Sequence, residues 1–396
     1  MIIWEIIIGC IIGFILGIIP NIHINTIGYF FIIIGFFALF PQKYYLFITI
    51  AISQQITSFI PVSLFGIPND TTIMTSFPAY KYFREGKAKQ AIFLCMIGSF
   101  FGGILGIILL PLLYLLYKTL FNFYIFIAGA IIFILILFIF SEKKTTDKLC
   151  VFAIIICSGT LGILTLKYNF FVKEPIFVCI AGLFGFPTLI QSIFEKQTTK
   201  IKQQTEIEDV PKKDIVNCIY GAFASLFMIL IPSFSSTQAS VIVSKIKQKL
   251  KSSEYLILYA SVAVCSLIFS IFLACNFGKS RIGYISILLL QKQIPQKINY
   301  IEFGAGIIFT VCIAILLVLL FLNNIITFIN KTDLKKINII IIITSTILLL
   351  IITNFHLPTI FVFLLSIGIG FLPIIFKKSR IVLTAYLMIP TLLFYI

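Results

Sequence analysis

Charge is what this sequence has least of. Only 11% of its 396 residues are Asp, Glu, Lys or Arg, and the acids number 14, where a soluble domain carries about 25% charged residues. A soluble core of this length needs a charged surface around it, and no segment here supplies one. Histidine occurs twice and tryptophan once. There is no H-E-x-x-H, no P-loop and no G-x-S-x-G, and the nine cysteines show neither C-x-x-C nor metal-like spacing. Zinc, nucleotide-phosphate and serine-hydrolase chemistry therefore have no motif to rest on, and no cofactor is implied.

What the chain does have is hydrophobicity: 60% of its residues and a mean hydropathy of +1.13. The fold class that follows is an all-α polytopic membrane protein, multi-pass in the cell membrane and solvated by the lipid bilayer, with about 10 to 14 spans at roughly 20 apolar residues each. The formal charge of +16 does not indicate nucleic acid, because Lys and Arg fall in short runs between apolar segments, where they act as orientation signals. Cysteines such as Cys95, Cys157, Cys179 and Cys312 lie inside apolar runs and read as small lipid- or core-facing residues. Met1 to Ile19 lacks a basic leader and a small-x-small cleavage site, so it is expected to be retained.

The apolar segments run Met1 to Ile19, Ile27 to Phe40, Tyr44 to Leu64, Ala91 to Tyr117, Phe123 to Ser141, Leu149 to Leu166 and Pro175 to Phe194. After the polar stretch Glu195 to Asp214 come Ile215 to Ile231, Ala239 to Lys245, Tyr255 to Phe277, Phe303 to Leu322, Ile337 to Thr353, Thr359 to Phe376 and Ile381 to Ile396. Gly66 to Gln90 reads as a long loop and Glu195 to Asp214 as a solvent loop dividing the chain. Sliding the sequence over itself, at the shift of 212 that sets Gly9 on Gly221, superposes the halves without a gap. The same register sets Pro20 on Pro232, Ser58 on Ser270 and Phe65-Gly66 on Phe277-Gly278. Two repeats are expected, 1–195 and 214–396, joined by a polar cytoplasmic linker at 196–213. With the basic runs Lys81 to Lys89, Lys143 to Lys148, Lys196 to Lys213, Lys245 to Lys251, Lys331 to Lys336 and Lys377 to Arg380 placed inside, each half makes an odd number of crossings and the repeats are inverted. Short basic runs at Lys167 to Lys173 and Lys279 to Arg281 count against that scheme.

Two polar, proline-started breaks interrupt the apolar runs at matching positions, I-P-N-I-H-I-N-T at Ile19 to Thr26 and I-P-S-F-S-S-T-Q at Ile231 to Gln238. Irregular backbone at membrane depth survives only where protein packs it or a polar cavity borders it, and paired interrupted segments point to a transporter's binding site. The candidate substrate site is thus Pro20, Asn21, His23, Asn25 and Thr26 with Pro232, Ser233, Ser235, Ser236, Thr237 and Gln238. Their neutral donors, with the helix N-termini beyond each break, suit a small organic anion. Free carbonyls at the breaks suit a coupling cation, Na+ or H+. His23 is either a proton-sensitive group or a loop residue bonded to backbone.

Asn69, Asp70, Thr71 and Thr72 follow a Gly-x-Pro break and are candidates for ion coupling or gating, expected to fold back toward the hairpins. Asp70 marks an ion path or caps a helix starting near Thr71. Gln54 and Ser58, set over Ser266 and Ser270 by the same shift, form a polar stripe at i, i+4, which either belongs to the coupling path or packs helices. Lys279 and Arg281 either meet a carboxylate or snorkel at the interface, and His356, Glu5 and Glu302 read as interfacial.

The run P-N-D-T-T, the F-P-A-Y ten residues on, E-G-K-A and G-S-F-F-G-G, all within Gly66 to Gly103, resemble the large permease of tripartite tricarboxylate transporters, the TctA family, and most its shorter archaeal branch. G-L-F-G-F-P-T-L at Gly182 to Leu189, F-G-K-S-R-I-G at Phe277 to Gly283, and the closing G-I-G-F-L-P, K-S-R and L-M-I-P are similar too. The resemblance implies secondary uptake of a di- or tricarboxylate, with an extracytoplasmic solute-binding protein and a small membrane subunit as partners in the bacterial systems. One departure is that Asn21 and Ser233 stand where the family usually carries Gly after each break's proline, which alters the hairpin backbone. The competing class is a membrane-embedded enzyme or lipid-handling protein; head-group turnover without solute flux would favour it.

Overall fold

The computed structural model describes residues 2–19, 24, 27–28, 31, 35–40, 43–65, 76–120, 124–168, 172–194, 203–204, 206–230, 236–247, 250–280, 282–295, 298–331 and 334–395. Among these there are helices and no strand. In chain order they are α1 (Ile2–Ile18), α2 (Phe36–Leu39), α3 (Tyr44–Thr57), α4 (Phe59–Phe65), α5 (Ser76–Arg84), α6 (Ala88–Ile108), α7 (Leu110–Leu120), α8 (Tyr124–Phe140), α9 (Thr145–Gly162), α10 (Pro175–Ile180), α11 (Phe186–Phe194), α12 (Lys212–Ile215), α13 (Asn217–Leu230), α14 (Ser236–Ile246), α15 (Ser252–Phe277), α16 (Gly283–Leu290), α17 (Tyr300–Lys331), α18 (Leu334–Ile352), α19 (Leu357–Ile375) and α20 (Ala385–Tyr395). Among the described residues, six stretches are long and apolar enough to cross a membrane: Tyr44–Leu64, Ala88–Ile108, Thr145–Lys167, Ser252–Phe277, Tyr300–Phe328 and Leu357–Ile375. The chain is an all-α polytopic membrane protein.

Helix starts recur at the sequence shift. Ala88 and Tyr300 open α6 and α17, and Thr145 and Leu357 open α9 and α19, each pair in the register that sets Gly9 on Gly221. The chain divides into two compact units, 1–117 with 197–229 and 236–336, and 118–196 with 230–235 and 337–396. Each unit draws on both halves of the sequence.

In the first unit, small residues set the helix spacing. Gly9, Gly13 and Gly17 recur every fourth residue on α1, and α3 lies against them: a Cβ at Gly13 would sit 2.5 Å from Ile50 O, and one at Gly17 2.7 Å from Thr57 Cβ. Lipid gives two apolar helices no hydrophobic reason to associate, so close backbone approach through small residues supplies the contact instead. The arrangement repeats in the second half. Gly9 faces Leu46 O and Thr49, and Gly221 faces Leu258 O and Ser261, again in the repeat register. Ser53 Oγ donates to Cys10 O at 2.7 Å and Ser261 Oγ to Cys218 O at 2.9 Å. The halves then exchange partners: α6 packs on α15, with Gly98 and Gly102 against Ile257 and Ser261, while α17 packs on α3, with Gly306 against Tyr45. The two spans at the centre, Tyr44–Leu64 and Ser252–Phe277, are buried by protein over their apolar windows.

The second unit is held by α9 on α20, α10 with its π-type continuation Ala181–Gly185 on α19, and a core of Val178, Phe186, Leu349 and Phe363. Gly182 and Gly370 bring the last two backbones together, Gly182 against Ser366 and Gly370 against Leu183 and Pro187. Three motifs that carried the family resemblance thus have packing roles. G-L-F-G holds the π-type turn against α19. Pro390 of L-M-I-P lies 2.9 Å from where a Gly162 Cβ would be. In K-S-R, Lys378 pairs with Asp147 at 2.8 Å and Glu142 at 3.2 Å, and Arg380 Nη2 donates to Gln191 Oε1 at 2.9 Å.

Several segment expectations need correction. Gly66 to Gln90 is not loop throughout, since α5 and the start of α6 occupy 76–84 and 88–90, with Gly86 turning the chain at φ 79°. Ile27 to Phe40 is not one continuous helix, because Gly35 adopts φ 68° before α2. A helix went unread at Gly283–Leu290, where eight residues are too few to register as a span. Within Glu195 to Asp214, the described residues are mostly exposed, but the stretch is anchored at Gln203, whose Oε1 accepts from Ala88 N at 3.1 Å and whose Nε2 donates to Phe83 O at 3.0 Å. The free N–H groups that open any helix need such acceptors, and here a residue 115 positions away supplies one for α6.

Candidate functional site

Most of the sequence-derived site, Pro20, Asn21, His23, Asn25, Thr26, Pro232, Ser233, Ser235, Asn69, Asp70, Thr71 and Thr72, lies outside the described residues, as does Arg281. Ser236, Thr237 and Gln238 form the first turn of α14. Ser236 is 4% exposed and its carbonyl accepts from Ser240 Oγ at 2.7 Å. A helix therefore begins directly after the second break, leaving the N–H groups of its first turn pointing back along the axis toward that break.

Ile24 inside the first break, and Ile27, Gly28 and Phe31 beyond it, are helical, and Gly28 is where α16 closes in. A Cβ there would lie 2.8 Å from Ile287 Cδ1 and 3.0 Å from Tyr284 Cδ2, so a larger residue would push both side chains aside. Tyr284 is fully buried and its hydroxyl donates to Phe47 O on α3 at 3.2 Å. Gln293 follows suit, donating to Phe37 O at 3.3 Å. The stretch after α15 thus folds back onto the segment that follows the first break. In the repeat register, Pro68 to Pro78 corresponds to Ser280 to Leu290. Tyr284 carried no signal in the sequence beyond being an aromatic in an apolar run.

The polar stripe is buried: Gln54 is 2% exposed, Ser58 2%, Ser266 5% and Ser270 0%. Ser58 Oγ donates to Gln55 O at 2.7 Å and Ser266 Oγ to Ala263 O at 2.9 Å, both within their own helices. Ser270 Oγ lies 3.2 Å from Ser280 Oγ, which is held by the backbone of Ile282. That bond ties the F-G-K-S-R-I-G turn, which Gly278 starts at φ 63°, back to α15. Ser58 and Ser266 are therefore satisfied locally, as helix-packing hydroxyls are.

Around the docked stretch, Gln90 and residue 208 exchange two bonds, Glu208 N to Gln90 Oε1 at 2.9 Å and Gln90 Nε2 to Glu208 O at 3.1 Å. Lys87 pairs with Glu208, and that hydrogen bond raises the lysine's pKa above its ordinary value. Lys378 is raised likewise, first by its bond to Asp147. Glu5, expected at the interface, pairs with Lys43 at 2.9 Å, and His356 Nδ1 lies 2.9 Å from Thr359 Oγ1 at the start of α19. No group of three or more His, Cys, Asp and Glu is placed to hold a metal ion among the described residues.

Residues 3–384 match the Tripartite tricarboxylate transporter TctA family. The chain is also 30% identical to an uncharacterised protein of Methanocaldococcus jannaschii over 396 residues, covering 98% of each chain. No solved structure matches. With the family's pattern running through both halves, and with the shared motifs of the second unit at its helix contacts, the chain belongs to the tripartite tricarboxylate transporter TctA family.

Proposed function

We propose that this protein is a secondary-active permease of the cell membrane for a small organic anion, a di- or tricarboxylate. The solute is held between the two proline-started hairpins and driven by a gradient of Na+ or H+. The observation that carries this reading is the family match across residues 3–384, a transporter family and not an enzyme family. The repeat supports it, since helix starts and glycine contacts recur in one register between the halves, and inverted repeats with paired broken helices are a transporter architecture. Asn21, Asn25, Thr26 and Ser233 to Gln238 supply neutral donors. An empty site of that kind carries no unpaired charge between the two sides of the membrane, and a buried unpaired charge costs several kcal/mol. Asn69 to Thr72, with Gln54 and Ser58, are assigned to coupling or gating. The tripartite family name makes an extracytoplasmic solute-binding protein and a small membrane subunit the expected partners.

Uptake of labelled di- and tricarboxylates into proteoliposomes, with Na+ and proton gradients imposed separately, tests the proposal. Concentrative uptake that collapses with one of the two gradients is expected, and Asp70→Asn should change the ion or pH dependence more than the solute affinity. Absence of gradient-dependent flux for every carboxylate offered, from protein that is folded and inserted, would refute it.

A further inference from the structure

The second unit gathers positive charge at one end. Lys378 bonds Glu142 at 3.2 Å and Asp147 at 2.8 Å, which holds the α8–α9 corner against the α19–α20 corner although Glu142 and Lys378 stand 236 residues apart. Residues 142–148 and 377–380 carry six cations and two acids between them. Both acids are taken by Lys378, and Arg380 donates to Gln191 Oε1. That leaves Lys143, Lys144, Lys148 and Lys377, none of which has a carboxylate partner among the described residues. Lys143, Lys144 and Lys377 are exposed, and Lys148 Nζ stands 4.9 Å from the centre of the Phe140 ring.

The surroundings indicate what this patch meets. Thr145–Lys167 and Leu357–Ile375 are long and apolar enough to cross a membrane, so Lys144 and Lys377 stand just beyond the ends of two spans. Phe140, Leu149, Ile375 and Phe376 are 67%, 62%, 66% and 46% exposed, and large apolar side chains on the outside of a membrane protein are solvated by lipid tails. Lys148, on the Phe140 ring, therefore sits where hydrocarbon gives way to headgroups, the level to which long basic side chains reach. Orientation asks only that basic runs lie on one side of the membrane. It does not ask that two runs so far apart in sequence be clasped together with their acids already neutralised. Basic sites between helix ends at headgroup level are suited to anionic lipids, whereas a soluble anion needs no apolar rim.

We propose that Lys143, Lys144, Lys148 and Lys377 bind the phosphate of an anionic lipid headgroup, with its acyl chains along Phe140, Ile375 and Phe376. Each ammonium acts on phosphate as a point charge, so the site selects for negative charge more than for headgroup structure. A headgroup in this position joins from outside the two corners that Lys378 joins from within. Bound lipid thus stabilises the second unit. The inference stands apart from the permease reading.

The test is lipid retention by the purified protein, read by native mass spectrometry from equal amounts of phosphatidylglycerol and phosphatidylcholine, beside melting temperature in nanodiscs of either lipid. Wild type should retain phosphatidylglycerol about tenfold or more over phosphatidylcholine and melt higher in phosphatidylglycerol discs. Lys143→Gln, Lys144→Gln, Lys148→Gln and Lys377→Gln combined should bring the preference to within about threefold and abolish that gain. Their melting temperature in phosphatidylcholine should stay at wild type, because the four lysines hold no ion pair. Lys331→Gln with Lys336→Gln, exposed lysines of a different basic run, should change neither readout. Equal loss in that control means diffuse surface charge and overturns the site, as does a fourfold variant, or a wild type, whose preference is otherwise than stated. Inorganic phosphate that raises the melting temperature in phosphatidylcholine discs as much as phosphatidylglycerol does also overturns it, in favour of a soluble anion. If the fourfold variant accumulates poorly, Lys143→Gln with Lys144→Gln decides the matter: a weakened preference is expected, and an unchanged one overturns the site.

Discussion

A single lysine shows how much an ion pair depends on where it sits. The Lys378 side chain is 10% exposed and stands between Asp147 and Glu142, so its pKa lies above the ordinary lysine value, chiefly through the bond to Asp147. A lysine raised on folding contributes stability that is complete below the unfolded-chain value of about 10.4 and is lost as pH rises through the higher folded value. Lys378→Met should therefore lower the melting temperature at pH 7, and the gap to wild type should narrow above pH 11. A gap of constant size across that range would show that the charge is irrelevant and only packing is lost. The sequence suggested K-S-R as a family signature, but not its partners. Glu142 lies 236 residues earlier, Asp147 is close beside it in sequence, and nothing local pairs either with Lys378.

At the scale of elements, the sequence read most long helices well, because about 20 apolar residues flanked by charge have one outcome in lipid. It read short ones poorly: α5 and α16 hold nine and eight residues, and their burial depends on partners far along the chain. The stretch between the halves, EKQTTKIKQQTEIEDVPKKD, is polar and mostly exposed where described, and composition could not show its anchor points. It is tied to the α5–α6 elbow through Gln203, Gln90 and Glu208. Gln203→Ala leaves Ala88 N and Phe83 O without that partner. The expected loss is about 1 to 3 kcal/mol, the range for stranding a buried polar group, with faster amide exchange confined to 83–90. Exchange there at the wild-type rate would mean that the docked stretch follows the elbow and does not hold it.

For the whole molecule, the gap-free register between the halves was legible because Gly, Pro and Ser keep their places when Ile and Phe vary freely, and those are the residues that set close helix approach and breaks. The exchange of partners between halves, α6 on α15 and α17 on α3, was not legible, since periodicity says which face is buried and not which helix covers it. The account's central claim is that the two hairpins hold the solute. Solute affinity of Asn25→Ala and Ser236→Ala, measured by uptake in vesicles of matched protein content, tests it most directly. Each variant should bind more weakly by about 1 to 3 kcal/mol, roughly fivefold to 150-fold, while insertion and abundance stay near wild type. Unchanged affinity in both would contradict the claim and remove the hairpins as the binding site.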